Sequence, residues 1–302
     1  FDEYDGDDYP EPVFGAKEKR GDGEKSLSRF YASSRFGLSD TLNLIAGVNV
    51  IKLKREGSSI YGSTTESTYY PDLEETSPYA GLTWDVTDDL TTYVSYSDIY
   101  QNQDSGDING DYLDPMKGVN YEAGAKAEFF NDRVLATFAV FKAEQQGVAI
   151  VGGQREDTTT YYVPADVNSK GFEAEISGEV TEGSNLAVGV TRLRVTDDNG
   201  DNTSTWIPRT VWKARYDSVL PFAPAVRLGA KATWKSDAYK ENANRQEAYM
   251  VVDTFAAYAI NEQAKLKLNV DNILNEKYVT GIQSGAIYGA PRNANLTFNY
   301  SF

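Results

Sequence analysis

The sequence predicts an all-β protein, a transmembrane antiparallel β-barrel. Three observations carry that expectation. Apolar and polar residues alternate with period two in segments of about ten residues. The connections between segments alternate in length. The last segment is amphipathic and ends on an aromatic residue, Phe302.

Four segments show the alternation most clearly. In 119–129, Val119, Tyr121, Ala123, Ala125, Ala127 and Phe129 share one strand face, and Asn120, Glu122, Gly124, Lys126 and Glu128 share the other. In 226–235, Val226, Leu228, Ala230, Ala232 and Trp234 oppose Arg227, Gly229, Lys231, Thr233 and Lys235. Segments 264–271 and 295–302 repeat the pattern. Thirteen strands are expected, at 28–38, 42–56, 77–86, 90–99, 119–129, 134–144, 170–180, 186–195, 209–217, 226–235, 246–260, 264–272 and 292–302. Residues 1–27, charged and unpatterned, read as an extracellular loop segment entering the first strand, with 28–302 as barrel.

Short connections fall at Ser39-Asp40, Thr87-Asp88-Asp89, Asn131-Asp132-Arg133, Glu182-Gly183-Ser184, Pro221 to Pro224 and Asn261-Glu262-Gln263. Each is followed by a long one: 57–76, 100–118, 145–169, 196–208, 236–245 and 273–291. Alternation alone leaves a soluble β-sandwich or lectin open. The loop rhythm favours an outer-membrane barrel, which has short periplasmic turns, long external loops and strands of about 9–11 residues crossing the bilayer at a tilt. Charges on the polar faces suit a wet lumen better than a dry core. Bacterial single-chain barrels have an even strand count, so thirteen strands imply others upstream or on another chain.

Composition removes several function classes. The 302 residues include no Cys and no His, so thiolate and imidazole catalysis, disulfides and ordinary zinc sites are excluded. A net charge of -16 without a basic cluster argues against nucleic acid as partner. Residues 1–12, FDEYDGDDYPEP, lack the basic start and apolar run of an export signal, so the N-terminus is expected to be mature or shortened. The acidic stretches 104–111 (DSGDINGD) and 197–202 (DDNGDN) lack the closing bidentate Glu of a calcium loop, and Asn-Gly turns account for them. Glu74-Glu75 sits in an expected solvated loop and gives no glycosidase reading. No phosphate-cradling Gly-rich loop or nucleophile elbow is present. The expectation is a protein that is not an enzyme.

The run Asp271-Asn272-Ile273-Leu274-Asn275-Glu276-Lys277-Tyr278, with Tyr288-Gly289-Ala290-Pro291-Arg292-Asn293 and the closing strand, resembles the last two strands of TonB-dependent siderophore receptors. Tyr112-Leu113-Asp114-Pro115, the segment from Asn120 to Lys126, and Ser169 to Glu175 resemble the same family's mid-barrel hairpins, in the manner of receptors for ferric hydroxamate-type siderophores such as coprogen or pyoverdine. The resemblance implies a barrel of about twenty-two strands. The last thirteen would lie here, with the plug domain absent.

It also implies a function in the bacterial outer membrane, capturing a ferric siderophore and moving it when the TonB complex pulls on the plug. The same barrel serves cobalamin and glycan receptors, and a general porin is the other open reading. No cofactor is implied, and iron enters only as the siderophore chelate. Implied partners are outer-membrane lipid, lipopolysaccharide and the barrel assembly machinery. That machinery would recognise Leu296, Phe298, Tyr300 and Phe302. Candidate ligand contacts on the external side are Tyr100, Tyr112, Tyr161, Trp206, Tyr239, Gln283 and Tyr288, because aromatic side chains offer rigid apolar area with a polar handle. Each aromatic among them has a rival role in the interfacial girdle of a barrel.

Overall fold

The computed structural model describes residues 13, 15, 21–61, 64–156, 158–240, 243–283 and 285–302, with backbone alone at 21–22, 58–61 and 64–71. Most of the segment 1–27 lies outside the described residues, although strand already begins at Gly21. The strands are β1 (Gly21–Gly37), β2 (Leu42–Tyr61), β3 (Thr64–Thr87), β4 (Leu90–Gln101), β5 (Met116–Phe129), β6 (Val134–Gln154), β7 (Thr160–Thr181) and β8 (Ser184–Thr196). They continue as β9 (Thr210–Leu220), β10 (Ala223–Lys235), β11 (Ala238–Tyr239), β12 (Arg245–Gln246), β13 (Tyr249–Ala259), β14 (Ala264–Asp271) and β15 (Asn293–Tyr300). Thirteen of them form one sheet in sequence order, while β11 and β12 pair as a separate two-stranded ribbon.

Two compact units are distinguishable, residues 1–30 with 49–76 and residues 31–48 with 77–302. In the first, Lys52 and Lys54 meet Glu74 and Asp72, each at 3.2 Å, between β2 and β3. The loop assemblies and the polar-face ion pairs described below lie in the second.

Register assigns the paired strand residues of the second unit to one face or the other. Trp84, Thr92, Ala125, Phe138, Ala174, Val190, Trp212, Trp234 and Met250 form one continuous row of partners from β3 to β13. The next row on the opposite face contains Tyr93, Gly124, Ala139, Glu173, Thr191 and Val211. The apolar face is the exposed one: Trp84, Phe138, Trp212, Leu228 and Tyr258 show 53, 50, 48, 43 and 48% of their surface. Among the described residues only Val134 is wholly buried, at 1%. A single sheet with a wet polar face and a bare apolar face is stable only where something other than water covers the apolar side.

The short turns are closed by their own side chains. Ser39 Oγ accepts the Leu42 amide at 3.1 Å, and Asn261 Oδ1 accepts those of Gln263 and Ala264 at 3.0 and 2.8 Å. Phe130, Asn131 and Asp132 take left-handed backbone angles of 58, 58 and 63° to reverse the chain in three residues.

Two expected loops are largely strand. Among the described residues, 57–61 and 64–76 lie on β2 and β3, and 145–154 and 160–169 lie on β6 and β7. Beyond a bulge at Gln145/Val148, β6 and β7 stay paired from Val148↔Ala165 to Gln154↔Thr160. Pairing there needs only backbone partners. Both faces are in water, so nothing forces apolar and polar residues to alternate, and the period-two signal fades while the strand continues. Residues 236–245 likewise hold the β11–β12 hairpin.

Candidate functional site

The external ends of the strands carry two loop assemblies. In the first, loop 102–115 is tied to the β6–β7 hairpin. Gln103 donates from Nε2 to the Asp114 and Gly147 carbonyls at 2.5 and 2.7 Å and accepts the Ala149 amide at 3.2 Å. Arg155 reaches across from β7's approach, donating to the Ile108 carbonyl at 3.1 Å and to that of Asp107. At the loop tip the Asp107 carboxylate accepts the Asn109 and Asp111 amides at 2.8 and 3.0 Å, and Gly110 supplies a φ of +97°. Desolvation pushes the Asp107 carboxyl upward, but those amide donors outweigh it and hold it below the ordinary carboxylate range. Asp197 repeats the arrangement with Asn199 and Asp201 at 3.0 and 2.9 Å. Both acidic stretches thus point a carboxylate at their own turn.

Tyr112 is bridged to Gly106, whose carbonyl accepts the Tyr162 amide at 2.9 Å. Tyr161 lies against Gly152 and Gly153, where any side chain would collide with its ring: a Cβ on Gly152 would stand 2.4 Å from it. The structure therefore brings Tyr112 and Tyr161 into one assembly. Tyr100 stands on β4 opposite Lys117, half-buried on the strand beside it.

The second assembly joins the other four candidates. Thr205 and Tyr239 exchange two bonds, 3.0 Å from the Tyr239 amide and 2.7 Å from the Thr205 hydroxyl, which sets Trp206 next to the β11–β12 ribbon. The Arg245 guanidinium lies 5.9 Å from the Tyr239 ring centroid, and Lys240 donates to the Gln283 carbonyl at 2.8 Å. Tyr288 pairs with Val279, whose amide binds Gln246 Oε1 at 2.7 Å. Arg209 fastens this group from β9's entrance by bonding the Thr203 carbonyl, and burial holds its guanidinium below its usual value.

Sequence reading missed the residues that hold these assemblies: Gln103, Arg155 and Lys240 use single side chains on backbone carbonyls far along the chain, and Arg209 reaches back to the Thr203 carbonyl within its own loop. No local spacing reveals such contacts. The paired loop ends at 271–293 are more legible. Asn272, 2% exposed with φ +48°, accepts the Glu276 amide at 2.8 Å and donates to the Glu276 and Ala290 carbonyls at 2.9 and 3.1 Å. Asn275, φ +54°, accepts the Arg292 amide at 3.0 Å. The Asn272 and Asn275 of the motif are thus the clamps that fold this connection back on β14.

The polar face carries an ion-pair ladder. Asp217, with a side chain 5% exposed, bridges Arg215 at 3.1 Å and Arg227, and Lys231 meets Asp253 at 3.0 Å. Glu122 accepts the Tyr93 hydroxyl at 2.6 Å and Glu173 that of Thr191 at 3.2 Å. A charged, hydrogen-bonded inner face behind a bare apolar outer face is the wall of a water-filled or plugged membrane barrel. The family described as TonB dependent receptor-like, beta-barrel, matches residues 1–273. This chain belongs to that family.

TonB-dependent receptors are outer-membrane proteins of the receptor and transporter class, so this wall stands in an outer membrane. The chain is 32% identical to the ferric-pyoverdine 358 receptor of Pseudomonas putida, over 91% of its own length and 35% of that protein's. It is 29% identical to the ferripyoverdine receptor of Pseudomonas aeruginosa, over 100% of this chain and 38% of that one. The crystal structure of the P. aeruginosa receptor bound to ferripyoverdine superposes with a TM-score of 0.79 at 27% identity, covering 97% of this chain and 41% of that chain. This TonB-dependent receptor chain therefore spans little more than a third of the length of these relatives. The exposed face of β15 carries Leu296, Phe298 and Tyr300, and Phe302 follows with its ring 5.3 Å from that of Tyr300.

Proposed function

We propose that this chain supplies wall and external loops to a receptor that takes up a ferric siderophore of the pyoverdine or related hydroxamate-containing kind. The observation that carries the reading is the fit over nearly the whole chain to a receptor holding ferripyoverdine. Iron is cargo here, bound by the siderophore. The two loop assemblies suit capture, because they hold Tyr112, Tyr161, Trp206, Tyr239 and Tyr288 on fastened loops, which lowers the ordering cost of binding a bulky chelate. The reading is binding and transport, in keeping with the receptor and transporter class of the family.

The remaining partners follow the same reading. A plug domain from the rest of the protein fills the polar lumen, the TonB complex acts on that plug, and the assembly machinery engages the Leu296–Phe302 face. The test is radioiron uptake by cells carrying the complete receptor. Uptake is expected from ferric pyoverdine and not from a ferric catecholate. Equal uptake with and without the receptor, for both chelates, would remove the siderophore reading and leave porin or another cargo.

A further inference from the structure

The long connection between β14 and β15 turns in over the lumen. Lys231↔Asp253, Thr233↔Val251 and Lys235↔Tyr249 are register pairs on the polar face of β10 and β13. The connection packs on that face: the Tyr278 ring stacks on Tyr249 with centroids 4.7 Å and planes 19° apart, and Asp253 Oδ1 accepts the Asn272 amide at 2.9 Å. Tyr249 is left only 6% exposed, and Ile282 within the connection 5%. A lumen-facing ring buried in this way is covered from the lumen side. Beneath the cover a cavity of about 250 Å³ remains, with Lys231, Thr233, Lys235, Val251, Asp271 and Tyr278 among its lining residues.

The fastening is uneven. At the root, Asn272 and Asn275 clamp both ends of the connection, and the Ile273 amide donates to the Val252 carbonyl at 2.8 Å. Beyond the root the chain forms a small ribbon, in which Val279 pairs with Tyr288 and the Thr280 amide donates to the Ile287 carbonyl at 2.7 Å. That ribbon reaches its neighbours through the Tyr278 stack, through Gln246 Oε1 on the Val279 amide at 2.7 Å and through the Lys240 ammonium on the Gln283 carbonyl at 2.8 Å. The last is an exposed bond, which contributes little net because water competes for both partners. The stack is the apolar contact among them, and the Tyr278 ring fits only because Gly289 has no side chain: a Cβ there would stand 2.1 Å from it. A clamped root, a small body and one aromatic catch describe a hinged element.

We propose that residues 277–283 and 285–290 belong to a flap that closes the outer mouth of the lumen over β10 and β13, with Tyr278 as its catch and Tyr249 as the seat. Closed, the flap keeps solutes from outside off Lys231, Thr233 and Lys235. Released, it swings about the root that Asn272 and Asn275 clamp and bares that stretch of wall. The device rests on the barrel architecture and is independent of the cargo.

The experiment uses the complete receptor in intact cells and a sulfonated fluorescent maleimide too large for general porins. This chain has no Cys, so a single introduced cysteine reports access. Thr233→Cys lies under the flap, and Ile108→Cys, at a position 58% exposed on loop 102–115, serves as the open reference. Thr233→Cys is expected to label much more slowly than Ile108→Cys. Adding Tyr278→Ala is expected to speed Thr233→Cys about tenfold, the factor equivalent to losing one aromatic pair, and to leave Ile108→Cys unchanged. Tyr278→Phe, which keeps the ring, should stay closed. Heat-modifiable gel migration and the Ile108→Cys rate check that each variant is folded. Equal labelling of the two cysteines without further substitution overturns the cover. No acceleration with Tyr278→Ala, or equal acceleration with Tyr278→Phe, overturns the catch. The readout involves no siderophore, so its failure leaves the cargo reading standing.

Discussion

Replacing Asn272 separates two contributions that the fold combines at one residue. Its side chain makes three hydrogen bonds, to the Glu276 amide and to the Glu276 and Ala290 carbonyls, at a position 2% exposed. Its backbone sits in the left-handed region at φ +48°. Removing three buried bonds at a net 1 kcal/mol each costs about 3 kcal/mol. A non-Gly, non-Asn residue forced into that conformation adds roughly 1 kcal/mol. Asn272→Gly should therefore lose about 3 kcal/mol of local stability and Asn272→Ala about 4. At about 1.4 kcal/mol per tenfold, amide exchange across 272–292 accelerates by more than a hundredfold in either variant, with Ala roughly fivefold faster than Gly. The assay is hydrogen-exchange mass spectrometry on the receptor in detergent. Equal rates for Gly and Ala would refute the backbone argument. Wild-type rates in both would refute the clamp.

Three further outcomes follow from the loop assemblies. Arg155→Ala should leave strand exchange unchanged while releasing 102–115, speeding exchange there by about tenfold for each 1.4 kcal/mol of the bonds to Asp107 and Ile108, whereas Arg155→Lys restores part of it. Gly289→Ala places a Cβ 2.1 Å from the Tyr278 ring, which is stacked on Tyr249 at 4.7 Å; the ring must leave the stack, and near-ultraviolet dichroism should fall toward the level of Tyr278→Ala, with no further fall when the two are combined. Asp107 has a depressed folded-state pKa, so its contribution is complete above the ordinary carboxylate value of about 3.9 and is lost as pH falls through the lower folded value. Protection of the Asn109 and Asp111 amides should accordingly be flat above about pH 5 and collapse at lower pH, and Asp107→Asn should blunt that collapse.

The strand count, their antiparallel succession and the two faces from residue 77 onward were legible because membrane and lumen impose opposite demands on alternate residues. That same cause limited the reading. Where β6 and β7 leave the bilayer, both faces meet water, the alternation stops, and only backbone pairing shows the strand. Asn272 and Asn275 were visible as a motif, but their clamp geometry was not, since the partners Ala290 and Arg292 arrive from the far end of the connection.

A local two-residue period is enough to specify a barrel wall with one wet and one apolar face. Which residues across five strands fall in one row is settled by pairing, because register is set between strands and leaves no trace along any one of them. That is why Lys142, Lys170, Arg192 and Arg194 read singly as strand residues and together as a cluster on one face. It is also why the candidate tyrosines sort into two assemblies, joined by side chains reaching backbone carbonyls more than forty positions away, as Arg155 does to Ile108.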